Sequence, residues 1–309
     1  MQGHYLMKIK SYTSAPFLAI FVFLLTLCAE KIIAGLDMNI NEYLLVCGAV
    51  QIFTYALPVV LYALLFGGIS VKRMRLCAPT VISVPTQILL AAILLLGSTL
   101  ISMLGIRLGF SEANESIIGG IGAPNMLVLL VFAVIPALCE EIVFRGIIMS
   151  SYEPCGTFHA VIATSILFAA AHMSLEEFPV YFFASCVLCF VTYVSRSLVA
   201  SIVIHSVYNI AVLTLSDYIG GVAANLESFS LLFIVMLFLL WIFVIVALTE
   251  GTRVYRIYGE RGLDSSYTPQ RLSPPQRLRA AAAVYFSLGF LLAIVIFIAV
   301  VVFSMQNIS

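Results

Sequence analysis

The chain has 309 residues, 62% of them hydrophobic and only 10% charged, and its mean hydropathy is +1.13. So few charges cannot clothe a water-soluble globule, and the composition requires a polytopic membrane protein instead. Fifteen basic residues balance fifteen acidic ones, which leaves no electrostatic case for a nucleic-acid partner.

Runs of about 20 apolar residues cross ~30 Å of hydrocarbon at 1.5 Å per residue. Such runs occur near 15–35, 43–66, 81–104, 126–149, 157–173, 178–195, 197–217, 230–248 and 280–305. The expected fold class is all-α, a polytopic transmembrane helical bundle of about 8–9 helices, because only helices or closed barrels satisfy their backbones in lipid. Glu30 and Lys31 interrupt the first run, and the fifth is short. Lys8 and Lys10 ahead of the first run imitate the start of a signal peptide, but no small-x-small cleavage site follows, so it reads as a retained span.

Apart from Arg145, alternate loops place Lys8, Lys10, Lys72, Arg73, Arg75, Arg196, Arg253, Arg256, Arg261, Arg271, Arg277 and Arg279 on one side. The other side receives only Lys31 and Arg107. The positive-inside rule then puts the N-terminus in the cytosol and the C-terminus across the membrane. The polar stretch 249–279 reads as a basic cytosolic loop attracted to anionic lipid at ~1 kcal/mol per charge. The stretch 105–125 falls on the opposite face. Sequons at Asn114 and Asn307 also fall on the non-cytosolic side and permit a secretory membrane without requiring one. The expected location is an integral, multi-pass position in a bacterial cell membrane or a eukaryotic endomembrane.

Seven cysteines is an odd number, and Cys28, Cys47, Cys139, Cys186 and Cys189 fall within spans, which argues against a disulfide framework. Cys186 and Cys189, three residues apart on an apolar helix, read as packing.

The informative region is the middle of the chain. Glu140-Glu141-Ile142-Val143-Phe144-Arg145 lies inside the fourth run, and ionisable groups at bilayer depth cost several kcal/mol, so they mark working sites. Glu140 stands ~10 residues, or ~15 Å, from the cytosolic end. Glu141 and Arg145, four apart, share a helix face and can neutralise each other, while Glu140, turned by ~100°, is left for chemistry. In the next run Phe168-Ala169-Ala170-Ala171-His172 surrounds a histidine with small residues that let helices approach closely. In the seventh, His205 and Asn209 lie one above the other on one face, with Ser201 a turn earlier. Two donors aimed the same way suit a developing oxyanion, and interhelical hydrogen bonding is the plainer alternative.

Glu-Glu-x-x-x-Arg, Phe-x-x-x-His and His-x-x-x-Asn, in that order on successive helices, resemble the CAAX protease and bacteriocin-processing family of intramembrane glutamic endopeptidases, also called the Abi family. The resemblance includes the Phe144-Arg145-Gly146 ending and covers about 126–215. It implies a helical membrane protease of the kind that removes the last three residues of prenylated CAAX proteins. By that likeness Glu140 and His172 activate a water, His205 and Asn209 hold the oxyanion, and Glu141, Arg145 and Phe168 support them. The implied partners are membrane lipid and a peptide or prenylated protein substrate.

The expected organisation is N-terminal transmembrane helices over 1–125, a catalytic core over 126–217, and C-terminal helices over 218–309 carrying the basic loop. The residues independently suit water attack. A carboxylate stripped of bulk water is a willing proton acceptor, and these spans hold no serine, cysteine or aspartate beside a base to act as nucleophile. No cofactor is expected. The alternatives are a zinc-dependent metalloprotease using two histidines and a glutamate, a proton-coupled transporter, and a non-enzymatic scaffold or immunity protein.

Overall fold

A computed structural model describes residues 2–67, 71–108, 125–225, 231–261 and 272–308. Among the described residues there is no strand. The protein is an all-α, polytopic helical bundle and an integral multi-pass membrane protein. The helices are α1 (Gln2–Ala34), α2 (Ile40–Phe66), α3 (Val84–Arg107), α4 (Met126–Cys155), α5 (Thr157–Ala171), α6 (Phe178–Ser195), α7 (Leu198–Asn225), α8 (Leu231–Glu260), α9 (Pro274–Tyr285) and α10 (Leu288–Ile308).

Among the described residues, seven helices are long and apolar enough to span, and α9 with α10 forms an eighth candidate bent by 50°. The expected fifth span is the exception. At 15 residues, α5 rises only ~22 Å, short of the ~30 Å hydrocarbon layer. It stops because His172 caps it and Met173 takes a left-handed conformation, φ 53°, which turns the chain back into α6. The first span is not broken at Glu30 and Lys31, since α1 runs through both to Ala34. Nor is 249–279 a continuous loop: α8 continues to Glu260 and α9 starts at Pro274. The Asn114 sequon and most of 105–125 lie outside the described residues.

The segments that the charge count put on one side meet at one end of the bundle. Arg75 pairs with Glu153 at the end of α4 at 2.6 Å and lies 5.5 Å over the Tyr193 ring of α6. The Leu198 amide donates to the Arg75 carbonyl at 2.9 Å. Arg196 lies 4.2 Å over Tyr258 of α8, whose hydroxyl donates to Val194 at 2.8 Å. Leu272 approaches Gly156, and His159 meets Tyr285 of α9 at 3.3 Å. Both ends of the α5–α6 hairpin therefore start from this basic end, and its turn, 172–177, lies at the far end of the hairpin with Leu175 and Glu176 exposed.

One hydrophobic core runs from α1 through α4 and α5 to α10, with Phe23, Phe144, Leu167 and Phe168 fully or almost fully buried. Across the bundle α3 packs on α6 at Gly97, where even a methyl group would run into the Phe183 ring. That close approach is the use of small residues expected of membrane helices.

Candidate active site

The central helix α4 is not a uniform α-helix. Leu130–Val134 and Ile142–Met149 are wound as π-helix on either side of the α-helical Ile135–Glu141. Pro136, the second residue of the α-helical segment, contributes no amide hydrogen, which accounts for the wider winding before it. Such π segments are frequent at functional sites. Here they bracket Glu140 and Glu141 and set the directions of the two side chains.

Glu141 is completely buried and saturated. Its Oε1 accepts from the Arg145 guanidinium at 2.8 Å and from His205 Nδ1 at 2.8 Å, and its Oε2 accepts from Ser201 Oγ at 2.6 Å. These bonds tie α4 to α7. Arg145, also buried, donates a second time to the Ser185 carbonyl of α6 at 3.3 Å and lies 4.4 Å over the Phe168 ring of α5. A buried charge needs such partners, because losing one strands the other in low dielectric.

Glu140 faces differently. Its Oε2 is 3.8 Å from His205 Nε2, beyond direct hydrogen-bond length but a separation one bridging water can span. The Tyr55 side chain of α2 reaches the same carboxylate. His205 thus stands between the two glutamates, with one ring nitrogen toward each.

The histidine protons follow from their partners. An ionised carboxylate only accepts, so His205 Nδ1 carries a hydrogen toward Glu141. His172 Nδ1 lies 2.9 Å from the Phe168 carbonyl, which also only accepts, so in the neutral ring Nε2 keeps its lone pair. The His172 ring stands 4.8 Å from Phe168, and His205 is 6.1 Å from the same ring. Phe168 is a hub with Arg145 on its face and both histidines around it. Glu140 and His205 are both within electrostatic range of His172.

Glu140, Glu141, Arg145, Phe168, His172, His205 and Ser201 therefore gather in one region of α4, α5 and α7. Asn209 is at its edge, half-buried, with its amide donating to the Ala133 carbonyl of the first π segment at 3.3 Å. That bond serves a backbone group in the irregular helix, and the amide's second hydrogen remains for another acceptor. No spacing or motif pointed to Tyr55 or to Tyr181, which stacks on His172 at 3.7 Å. Both come from helices outside the motifs and carry no distinctive spacing. Among the described residues, no three His, Cys, Asp or Glu side chains are grouped to hold a metal ion.

Residues 122–211 match the family model described as type II CAAX prenyl endopeptidase Rce1-like. This stretch, under a third of the chain, is similar to that family of CAAX proteases. It contains every motif residue named above, and the family supports a protease role for the chain. No curated protein and no solved structure matches the chain.

Proposed function

We propose that the protein is an intramembrane endopeptidase that hydrolyses a peptide bond with a water activated by Glu140 and His172, acting on CAAX-type prenylated or other membrane-bound peptides. The observation that carries this reading is the contrast within the glutamate pair. Glu141 accepts from three partners, whereas Glu140, beside it, stands 3.8 Å from His205 Nε2, too far for a direct hydrogen bond, and keeps acceptor capacity for a water.

In the first step Glu140 takes a proton from the water while His172 Nε2 accepts the water's other hydrogen and aims its oxygen at the scissile carbonyl. The water oxygen bonds to the carbonyl carbon and the carbonyl oxygen becomes negative. His205 is held by the bond from Nδ1 to Glu141 and turns Nε2 toward that oxygen, where a hydrogen on Nε2 would donate. The unused hydrogen of Asn209 is the second donor. Fixed donors in a site that excludes water lower the barrier without reorganisation. The proton on Glu140 then passes to the departing amine as the C–N bond breaks, which restores the carboxylate.

Substrate class follows from the family description and from depth. Glu140 lies about 13 residues, or ~20 Å along α4, from Glu153 at the basic end. A peptide already anchored in the bilayer by a prenyl chain reaches that depth more readily than a soluble one.

The test is cleavage of an internally quenched farnesylated peptide with a CAAX ending by purified protein in proteoliposomes, with and without EDTA. Cleavage by the parent that is indifferent to chelator and lost in Glu140→Gln supports the reading. Parental rates in Glu140→Gln would overturn it, and loss of cleavage in chelator would move the chemistry to a metal.

A further inference from the structure

We propose that Tyr181 and Glu177 are positioning residues that clamp the His172 ring; the inference deepens the proposed reaction and rests on it for its consequence for turnover. His172 stands at an exposed point of the architecture. It lies just past the last residue of α5, is only half-buried, and is followed by the left-handed Met173. A side chain at a helix end next to a turn has several rotamers open to it unless neighbours remove them.

The neighbours here come from both sides. Phe168, one turn back on α5, takes one side at 4.8 Å, and its carbonyl receives the Nδ1 hydrogen. Tyr181, in the first turn of α6, stacks on the ring at 3.7 Å with the planes only 18° apart. Tyr181 is itself held, since its hydroxyl donates to Glu177 Oε2 at 2.7 Å and its amide donates to the Glu177 carbonyl at 3.1 Å. The Glu177 amide in turn donates to Ser174 Oγ at 3.2 Å, inside the turn that joins the two helices. A polar chain from Ser174 through Glu177 to Tyr181 thus fixes the plate against which the histidine lies.

The hydrogen bond to Phe168 alone leaves the ring free to pivot about its Nδ1 end. The stack removes that freedom and directs Nε2. When the group that aims the attacking water is displaced by about 1 Å, the rate falls on the order of a hundredfold while binding is untouched, so the clamp acts on kcat rather than KM. The ring face supplies the positioning and the hydroxyl only steadies it. Glu177 and Tyr181 are four apart on one face, a spacing that brings the carboxylate under the phenol.

Two measurements test this. On the quenched farnesylated peptide, Tyr181→Leu lowers kcat roughly tenfold or more and leaves KM within about twofold, whereas Tyr181→Phe, which keeps the stack, retains most of the turnover. Glu177→Ala resembles Tyr181→Phe, and Glu177→Gln, which keeps an acceptor, stays near the parent. Independently of any activity, mass spectrometry follows carbethoxylation of His172 by diethyl pyrocarbonate. In Tyr181→Leu that rate rises several-fold over the parent and over Tyr181→Phe. Unchanged modification in a folded Tyr181→Leu overturns the clamp, as does a loss of turnover confined to KM or one equally severe in Tyr181→Phe. If Tyr181→Leu does not fold, Tyr181→Met, which also removes the flat ring, carries the test, and unchanged His172 modification there refutes the clamp. Glu140→Gln is assayed beside them. Parental cleavage in that variant refutes the proposed chemistry, and the modification data still decide the clamp.

Discussion

Helix α4 carries two carboxylate–arginine pairs of similar construction. In the middle of the bundle Glu141 pairs with Arg145, whose guanidinium rests on Phe168; at the basic end Glu153 pairs with Arg75, which rests on Tyr193. Both carboxylates are buried and both arginines lie against an aromatic face. The difference lies in what stands beside them. The central pair adjoins a second carboxylate and a histidine shared between the two, and the pair at the basic end holds loop 71–77 and α6 onto α4. A buried ion pair in this protein is therefore scaffolding, and the reactive feature is the extra carboxylate that the scaffold leaves uncommitted.

The comparison breaks most readily at Glu140. Glu140→Gln should lower the rate of cleavage by about 10²–10⁴-fold with the melting temperature of the detergent-solubilised protein unmoved. A large melting shift would make Glu140 part of the scaffold after all. Arg145→Met removes the partner of a fully buried carboxylate, and denaturant titration should register a loss of about 3–5 kcal/mol. Arg75→Met should cost less, about 2 kcal/mol, because Arg75 keeps 16% of its side-chain surface and screening there is stronger. Its cleavage per folded molecule should equal the parent's, and a loss of turnover at constant stability would mean that the basic end takes part in the reaction. The smallest effect belongs to Ser201→Ala, which deletes one hydrogen bond to Glu141 and should cost about 1.5 kcal/mol. That change sharpens the contrast if turnover falls little, since His205 and Arg145 still hold the carboxylate.

Much of the site was legible from spacing. Residues four apart on a helix share a face, so the Glu141–Arg145 pair and the alignment of Ser201 with His205 follow from position alone. The partner that His205 would choose did not follow. Read by itself, the helix suggested His205 and Asn209 aimed together, but the structure turns His205 Nδ1 onto Glu141 and the Asn209 amide onto Ala133. Those partners belong to α4, whose π winding displaces side chains from the 100° steps that the spacing argument assumes. Tyr55 and Tyr181 were invisible for a related reason: each is a tyrosine of no distinctive spacing on a largely apolar helix, and only the packing of that helix brings it to the site.

The sequence by itself determined the solvent, the helical class, the approximate spans and the set of ionisable groups that must gather away from lipid. Hydropathy and charge asymmetry are sums over many residues, so they survive without knowledge of neighbours. The tertiary structure decided which glutamate is spent on scaffolding, how short α5 is, and which aromatic faces hold His172 and Arg145. Each of those outcomes depends on distances between atoms that are far apart in the chain, and periodicity within one helix carries no information about the helix that will pack against it.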